Sequence, residues 1–229
     1  GGYAEFTSVP AEHVHAVETT LDWTQLAAAP EIFHTAWGAL EPALGIDAGQ
    51  TLLIRGGSSA VGLVAADYAR TKGLTVLSTT RDSAKADRLR AFGADHVVID
   101  DGTIAPAVAE IVPGGVDAML DLVGTKVIED SFACVRRGGT LCMAGLLGGE
   151  WTIADFAPGA VIPSTTKFTY FSSSTTPMPT AALQGYLDGL ADGRYRMPLD
   201  RVFRFDDIAE AHARMEANRA AGKIVVSVV

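Results

Sequence analysis

The chain has 229 residues, 48% apolar and 20% charged, with a formal charge of −9. That apolar share suits a packed core and excludes intrinsic disorder, and the length fits one large domain or two small ones. The acidic balance argues against nucleic acid or an anionic membrane as the main partner.

No apolar run reaches the ~18 residues of a spanning helix, and no basic segment followed by an apolar stretch marks a secretory signal. Cys134 and Cys142 are too few for a disulfide framework, so a reducing compartment, the cytoplasm, is expected. The chain opens Gly1-Gly2-Tyr3 with no Met, which points to processing or a boundary inside something longer.

In chain order, residues 3–10 and 14–17 look like strands, followed by two helices near 23–29 and 34–44. From Thr51 two periods alternate. Strands are expected at Thr51–Arg55, 74–79, His96–Ile99, Val116–Asp121 and 140–144, with helices at 59–72, 83–92, 104–112 and 126–136 between them. Short apolar strands alternating with helices mean βαβ units, and right-handed crossovers make a doubly wound parallel sheet the expected α/β fold. Beyond a loop rich in Pro, Ser and Thr come a strand at 167–172, a helix at Thr180–Ala191, a strand at 202–205, a helix at 207–220 and a last strand at 223–229. Asp206 or Asp207 is the expected N-cap of that last helix.

The stretch Gly56-Gly57-Ser58-Ser59-Ala60-Val61-Gly62 joins the first of these alternating strands to a helix. Small residues let the backbone turn sharply and approach a pyrophosphate held by helix N-terminal amides. The spacing departs from G-x-G-x-x-G because Ser59 and Ala60 stand where glycine is usual, so a plain strand–helix turn is the competing reading. At the end of the next strand, Thr80 and Arg81 stand where an NAD-preferring site carries an acid, with Lys85 one turn on. A guanidinium pairs with a 2′-phosphate that a carboxylate would repel, which favours NADP(H).

Other residues read as structural. Tyr68 and Lys72 spell Y-x-x-x-K but lie on the helix leaving the glycine turn, as a surface pair. His13 and His15 lack partners for a metal, His34 is expected to be packed or solvated, and Cys134 and Cys142 are expected to pack in a helix and a strand. Arg136-Arg137 before Gly138-Gly139 reads as a helix end with its C-cap.

The segments GGYAEF, AAAPEIFHTAWGAL, LLIRGGSSAVGLVAADYAR, LRAFGADHVVID, VDAMLDLVG, RRGGTLCMAG and AHARMEANRAAGKIVVSVV occur in this order. In them the chain resembles the medium-chain dehydrogenase/reductase superfamily, in particular its zinc-independent quinone oxidoreductase branch. The resemblance implies a Rossmann domain at residues 38–175, the end of a GroES-like catalytic domain at 1–37, and a segment at 176–229 returning toward that domain. Most of the GroES-like domain would lie outside these residues, leaving remnants of its β structure at both ends and unpaired tail strands.

The resemblance also assigns roles. Ser58, Ser59, Ala60 and Val61 match the phosphate loop, and Thr80, Arg81 and Lys85 the adenosine 2′-phosphate end. Leu122 and Val123 would line the cofactor near its ribose, and Ala144, Gly145, Leu146, Phe171 and Ser172 would flank the nicotinamide. Thr35 falls where the family places a small polar residue beneath the ring, the single candidate for a catalytic role. Glu31 falls near the position of a zinc ligand cysteine in zinc-dependent relatives, so no metal is expected. Asp100 and Asp101 replace a tyrosine usual near the adenosine. The implied activity is metal-free hydride transfer from NADPH to a quinone or activated alkene, in a homodimer. A non-catalytic NADP(H)-binding module and a zinc-dependent alcohol dehydrogenase are the alternatives.

Overall fold

The computed structural model describes residues 2–228. Helix α1 (Trp23–Gly38) is capped by Asp22, whose carboxylate accepts the Gln25 amide at 2.8 Å. It runs through Pro30 and on into a π-helical turn, Ala39–Leu44, closed by Gly45 at φ 61°. One long helical stretch therefore replaces the two helices expected. Ala28, Ala29, Ile32, Phe33, Ala36 and Leu40 are buried along it, and that continuous apolar contact offsets the roughly 3 kcal/mol cost of an interior proline.

The sheet follows. Strands β1 (Thr51–Arg55), β2 (Thr75–Thr80), β3 (His96–Ile99), β4 (Val116–Asp121), β5 (Val135–Met143) and β6 (Lys167–Tyr170) lie in the order β3-β2-β1-β4-β5-β6, all parallel. Helices α2 (Ala60–Thr71), α3 (Ala86–Ala91), α4 (Ala105–Ile111) and α5 (Ile128–Ala133) connect them. This is the doubly wound α/β order expected from the sequence.

Side-chain alternation divides the core. Leu52, Ile54, Val76, Ala118, Leu120 and Cys142 face α1 and α2, whereas Leu53, Leu77, Met119 and Leu141 face α4 and α5.

Several boundaries differ from expectation. β5 starts at Val135, so Arg136 and Arg137 lie in a strand and not at a helix end. Val135 pairs with Val116 and Thr140 with Ala118, so the intervening residues bulge out. Arg136 bonds the Asp117 carboxylate at 2.7 Å. Residues 3–10 and 14–17 form no strand: Tyr3, Phe6, Val9 and Val14 are exposed, and no described strand runs beside them to complete a ladder.

After α6 (Pro158–Val161) and α7 (Thr180–Ala191), strands β7 (Leu199–Arg204) and β8 (Lys223–Ser227) flank α8 (Ile208–Glu216). The tail strands, expected to lack partners, pair with each other in parallel and pack on α1. Asp200 and Arg214 tie β7 to α8 through bonds of 2.6 and 2.9 Å. Asp206 and Asp207 fall in a 3-10 turn, and the Asp207 side chain caps nothing. Val229, the end of the last expected strand, and Gly1 lie outside the described residues.

Candidate dinucleotide site

β1 has β2 on one side and β4 on the other, so successive crossovers leave it in opposite directions and open a crevice at its carboxyl end. The glycine turn lies there. Gly56 takes φ 83°, and its amide donates to Thr79 Oγ1 at 3.0 Å. Ser59 caps α2, its hydroxyl accepting the Gly62 amide at 3.1 Å. Among the described residues, the Ala60 and Val61 amides donate no hydrogen bond. They are donors at the positive end of a 12-residue helix.

The glycines here are required by space. A Cβ on Gly62 would stand 2.7 Å from Gly57 Cα and 2.8 Å from Gly56 O. A Cβ on Gly57 would collide with Ser78 Oγ and stand 3.1 Å from Thr79 O. Ser78 Oγ is buried and unpartnered among the described residues.

Two further turns meet this one. A Cβ on Gly56 would touch Leu122 at 3.1 Å and Leu147 at 3.4 Å, and one on Gly145 would stand 2.6 Å from Leu122 O. The structure thus brings together Ser58–Val61 (58–61), Leu122 and Val123, and Ala144, Gly145 and Leu146.

At the end of β2, Thr80 Oγ1 accepts the Asp82 amide at 3.2 Å. Arg81 and Lys85 are exposed or half-buried, with no side-chain bond or ion pair among the described residues. Asp82 is occupied in accepting the Ala84 amide.

The nicotinamide end differs in detail. The Phe171 ring is buried, packed on Gly38 and edge-on to His34, so it is turned into the core. Ser172 Oγ bonds Ser174 Oγ at 2.8 Å. Thr35 is buried on α1 between His34 and Gly38. His34 Nε2 bonds the Thr176 carbonyl at 2.7 Å, which makes it a packed residue.

The sequence reading missed a polar cluster beneath these turns. The Arg55 side chain is fully buried. Its guanidinium donates to both Asp100 oxygens at 2.9 and 3.0 Å, to Asp130 at 2.8 Å and to Ser131 Oγ at 3.0 Å. Burial disfavours the Arg55 charge, but the Asp100 bond and the fields of Asp100, Asp130 and Asp121 outweigh it and raise the pKa. Burial raises the Asp121 carboxyl against the opposing bonds from Ser131, Gly124 and Val123. Asp100 is therefore a structural partner of Arg55, while Asp101 accepts the Thr103 amide. A cation ending the apolar run TLLIR and an acid ending VDAMLD were the signals available.

Tyr68 and Lys72 also need correction. Tyr68 is buried, and both side chains reach Glu41 Oε1 at 2.7 Å, joining α2 to the π turn. Burial pushes the tyrosine up to about 12, so it is no base at neutral pH.

Glu31 pairs with Lys223 at 2.6 Å. Among the described residues, no group of three or more His, Cys, Asp or Glu could hold a metal, and no helix is long and apolar enough to cross a membrane.

Comparison with known proteins agrees with this architecture. The chain is 25% identical over 241 residues to a probable quinone oxidoreductase of Schizosaccharomyces pombe, covering 99% of this chain and 69% of that protein. It is 28% identical to the 2-methylene-furan-3-one reductase of Solanum lycopersicum, covering 99% of this chain and 52% of that protein. Among solved structures, mycobacterial Rv1454c complexed with NADPH superposes with a TM-score of 0.86 at 25% identity, over 99% of this chain and 71% of that one. The chain thus spans part of the length of each relative. The fold is that of the quinone oxidoreductase-like medium-chain dehydrogenase/reductases. Residues 92–226, more than half of the chain, match the family described as zinc-binding dehydrogenase, and the chain belongs to that family.

Proposed function

We propose that these residues form the cofactor-binding part of an NADPH-dependent oxidoreductase that passes a hydride to a quinone or activated alkene without a metal. The observation that carries this is the glycine turn, with unbonded Ala60 and Val61 amides on one side and unpaired Arg81 and Lys85 at the neighbouring strand end. A dinucleotide fits this donor set: amides for the pyrophosphate, cations for a 2′-phosphate, and glycines where a Cβ would fill the cradle. The NADPH held by the mycobacterial relative and the quinone and furanone reductions in the relatives' names support the same reading.

A bound reduced nicotinamide supplies the hydride. This chain's residues do the positioning. Ser58, Ser59, Ala60 and Val61 hold the pyrophosphate, and Thr80, Arg81 and Lys85 hold the 2′-phosphate. Leu122, Val123, Ala144, Gly145, Leu146 and Ser172, with the Phe171 backbone, wall the nicotinamide half and exclude water. Thr35 lies under the ring in this reading.

Residues 1–37 then close a catalytic domain, residues 38–175 carry the cofactor, and residues 176–229 return toward the catalytic domain. A homodimer fits the open edge of β6, where Phe168 and Tyr170 are exposed. Two free, buried cysteines fit a reducing compartment, the cytoplasm.

The test is titration of the chain with NADPH and NADH, followed by turnover of the longer protein with quinones and enones. NADPH binding at least about tenfold tighter than NADH is expected, since a charge-assisted pair contributes about 1.5–3 kcal/mol. Equal affinity for the two would overturn the cofactor assignment, and NADPH binding without turnover of either substrate class would overturn the activity.

A further inference from the structure

Three side chains and two backbone amides form an unbroken polar line beneath the crevice. Arg55 Nη1 donates to Ser131 Oγ at 3.0 Å, and Ser131 Oγ donates to Asp121 Oδ2 at 2.6 Å. The other carboxylate oxygen, Asp121 Oδ1, accepts the Val123 and Gly124 amides, each at 2.8 Å. Arg55, Ser131 and Asp121 are fully buried. Arg55 also bonds the Val127 carbonyl at 3.3 Å and the Gly102 carbonyl at 3.1 Å.

The line begins at the residue before the glycine turn and ends on the turn after β4. Its main chain closes the same circuit, because the Leu122 amide donates to the Arg55 carbonyl at 3.1 Å. The Gly124 backbone needs such support. It takes φ 96°, and a Cβ there would stand 2.8 Å from Leu146 Cδ2 and 2.9 Å from Gly145 O. Leu147 N and Gly148 N hold the carbonyl ends of the same peptide units, bonding Leu122 O at 3.1 Å and Val123 O at 2.8 Å, while Asp121 Oδ1 is the acceptor of the two amides themselves; together these bonds set where Leu122 and Val123 face the crevice.

We propose that Ser131 and Asp121 are positioning residues for the cofactor: with Arg55 they lock the turn at residues 122–124 in the conformation that receives the nicotinamide half. The inference rests on the dinucleotide reading above for what the turn receives. The lock itself is a property of the chain alone. Ser131 is its weakest joint, because one hydroxyl satisfies a cation on one side and an anion on the other.

The test uses Ser131→Ala with two readouts. The first is amide hydrogen exchange at Val123 and Gly124, with the Gly62 amide, held independently by Ser59, as the internal reference. The second is calorimetric binding of NADPH and of 2′,5′-ADP, which carries the adenosine end without the nicotinamide. Exchange at Val123 and Gly124 is expected to quicken at least about tenfold while Gly62 is unchanged. NADPH is expected to lose about tenfold in affinity while 2′,5′-ADP keeps its own. Ser131→Thr, which retains the hydroxyl, is expected to restore slow exchange.

Should Ser131→Ala fail to fold, Asp121→Asn gives the same contrast, since it replaces one carboxylate oxygen of the relay by a donor. Unchanged exchange at Val123 and Gly124, or equal loss of both ligands, would overturn the lock. If the unaltered chain binds neither ligand, the dinucleotide reading fails and the nicotinamide role of the lock fails with it, while the exchange rates still decide whether the lock exists.

Discussion

Gly57 and Ser78 are fitted to each other: a Cβ on Gly57 would overlap the Ser78 hydroxyl, and that hydroxyl is buried without a hydrogen-bond partner among the described residues. The turn after β1 can lie this low over β2 because residue 57 has no side chain. The closeness also brings the Gly56 amide within 3.0 Å of Thr79 Oγ1. Strand β2 is thus the floor of the glycine turn, and Arg81 directly follows it.

Gly57→Ala is expected to cost about 1–3 kcal/mol of stability, the range for overpacking a tight site, and to abolish dinucleotide binding. Ser78→Ala alone should be neutral or slightly stabilising, because it removes a buried hydroxyl with no partner. The double variant should recover part of the loss, and only part, since Thr79 O also stands 3.1 Å from the added methyl. Urea unfolding of the four proteins measures the coupling; strictly additive effects would contradict the packing account.

Arg81→Glu should weaken NADPH by about tenfold to a hundredfold, from the loss of one charge-assisted pair and the gain of a repulsive one. NADH should change little. Calorimetric titration separates the two, and equal losses would remove Arg81 from the 2′-phosphate site.

Arg55→Met should destabilise the fold by about 3–5 kcal/mol, because it leaves the Asp100 and Asp130 carboxylates partly buried without their cation. Arg55→Lys should recover only a fraction. An ammonium cannot give Asp100 the two-pronged bond that Nε and Nη2 supply. A loss below about 1 kcal/mol for Arg55→Met would show that the cluster contributes little to folding.

Alkaline pH should destabilise the chain for a definite reason. Burial pushes the Cys134 and Cys142 thiols from an ordinary value near 9 up to about 12. An unfolded chain releases these protons from about pH 9 upward, while the folded chain retains them. Unfolding therefore becomes more favourable between about pH 9 and 12, on the order of 1 kcal/mol per pH unit for each thiol. Stability curves at pH 8, 9, 10 and 11 test this. Cys142→Ala should flatten the slope, and an unchanged slope would assign it to other groups. The same burial predicts slow alkylation of both thiols at pH 8 in the folded chain and rapid alkylation in urea.

By itself the sequence determined the alternation of short apolar strands with helices, and so the doubly wound sheet. It also determined the glycine turn and the cations Arg81 and Lys85, because periodicity and turn chemistry are local properties. Tertiary structure decided what depends on distant partners. Packing carried α1 through Pro30, where propensity alone predicts a break. The absence of a neighbouring described strand left residues 3–10 without a ladder, and mutual pairing gave β7 and β8 the partners that the sequence could not show. Phe171 turned inward because Gly38, far away in sequence, leaves room for its ring. Arg55, Ser131 and Asp121 became a single unit because three buried polar groups from separate elements must satisfy one another once water is excluded. No local pattern encodes that meeting.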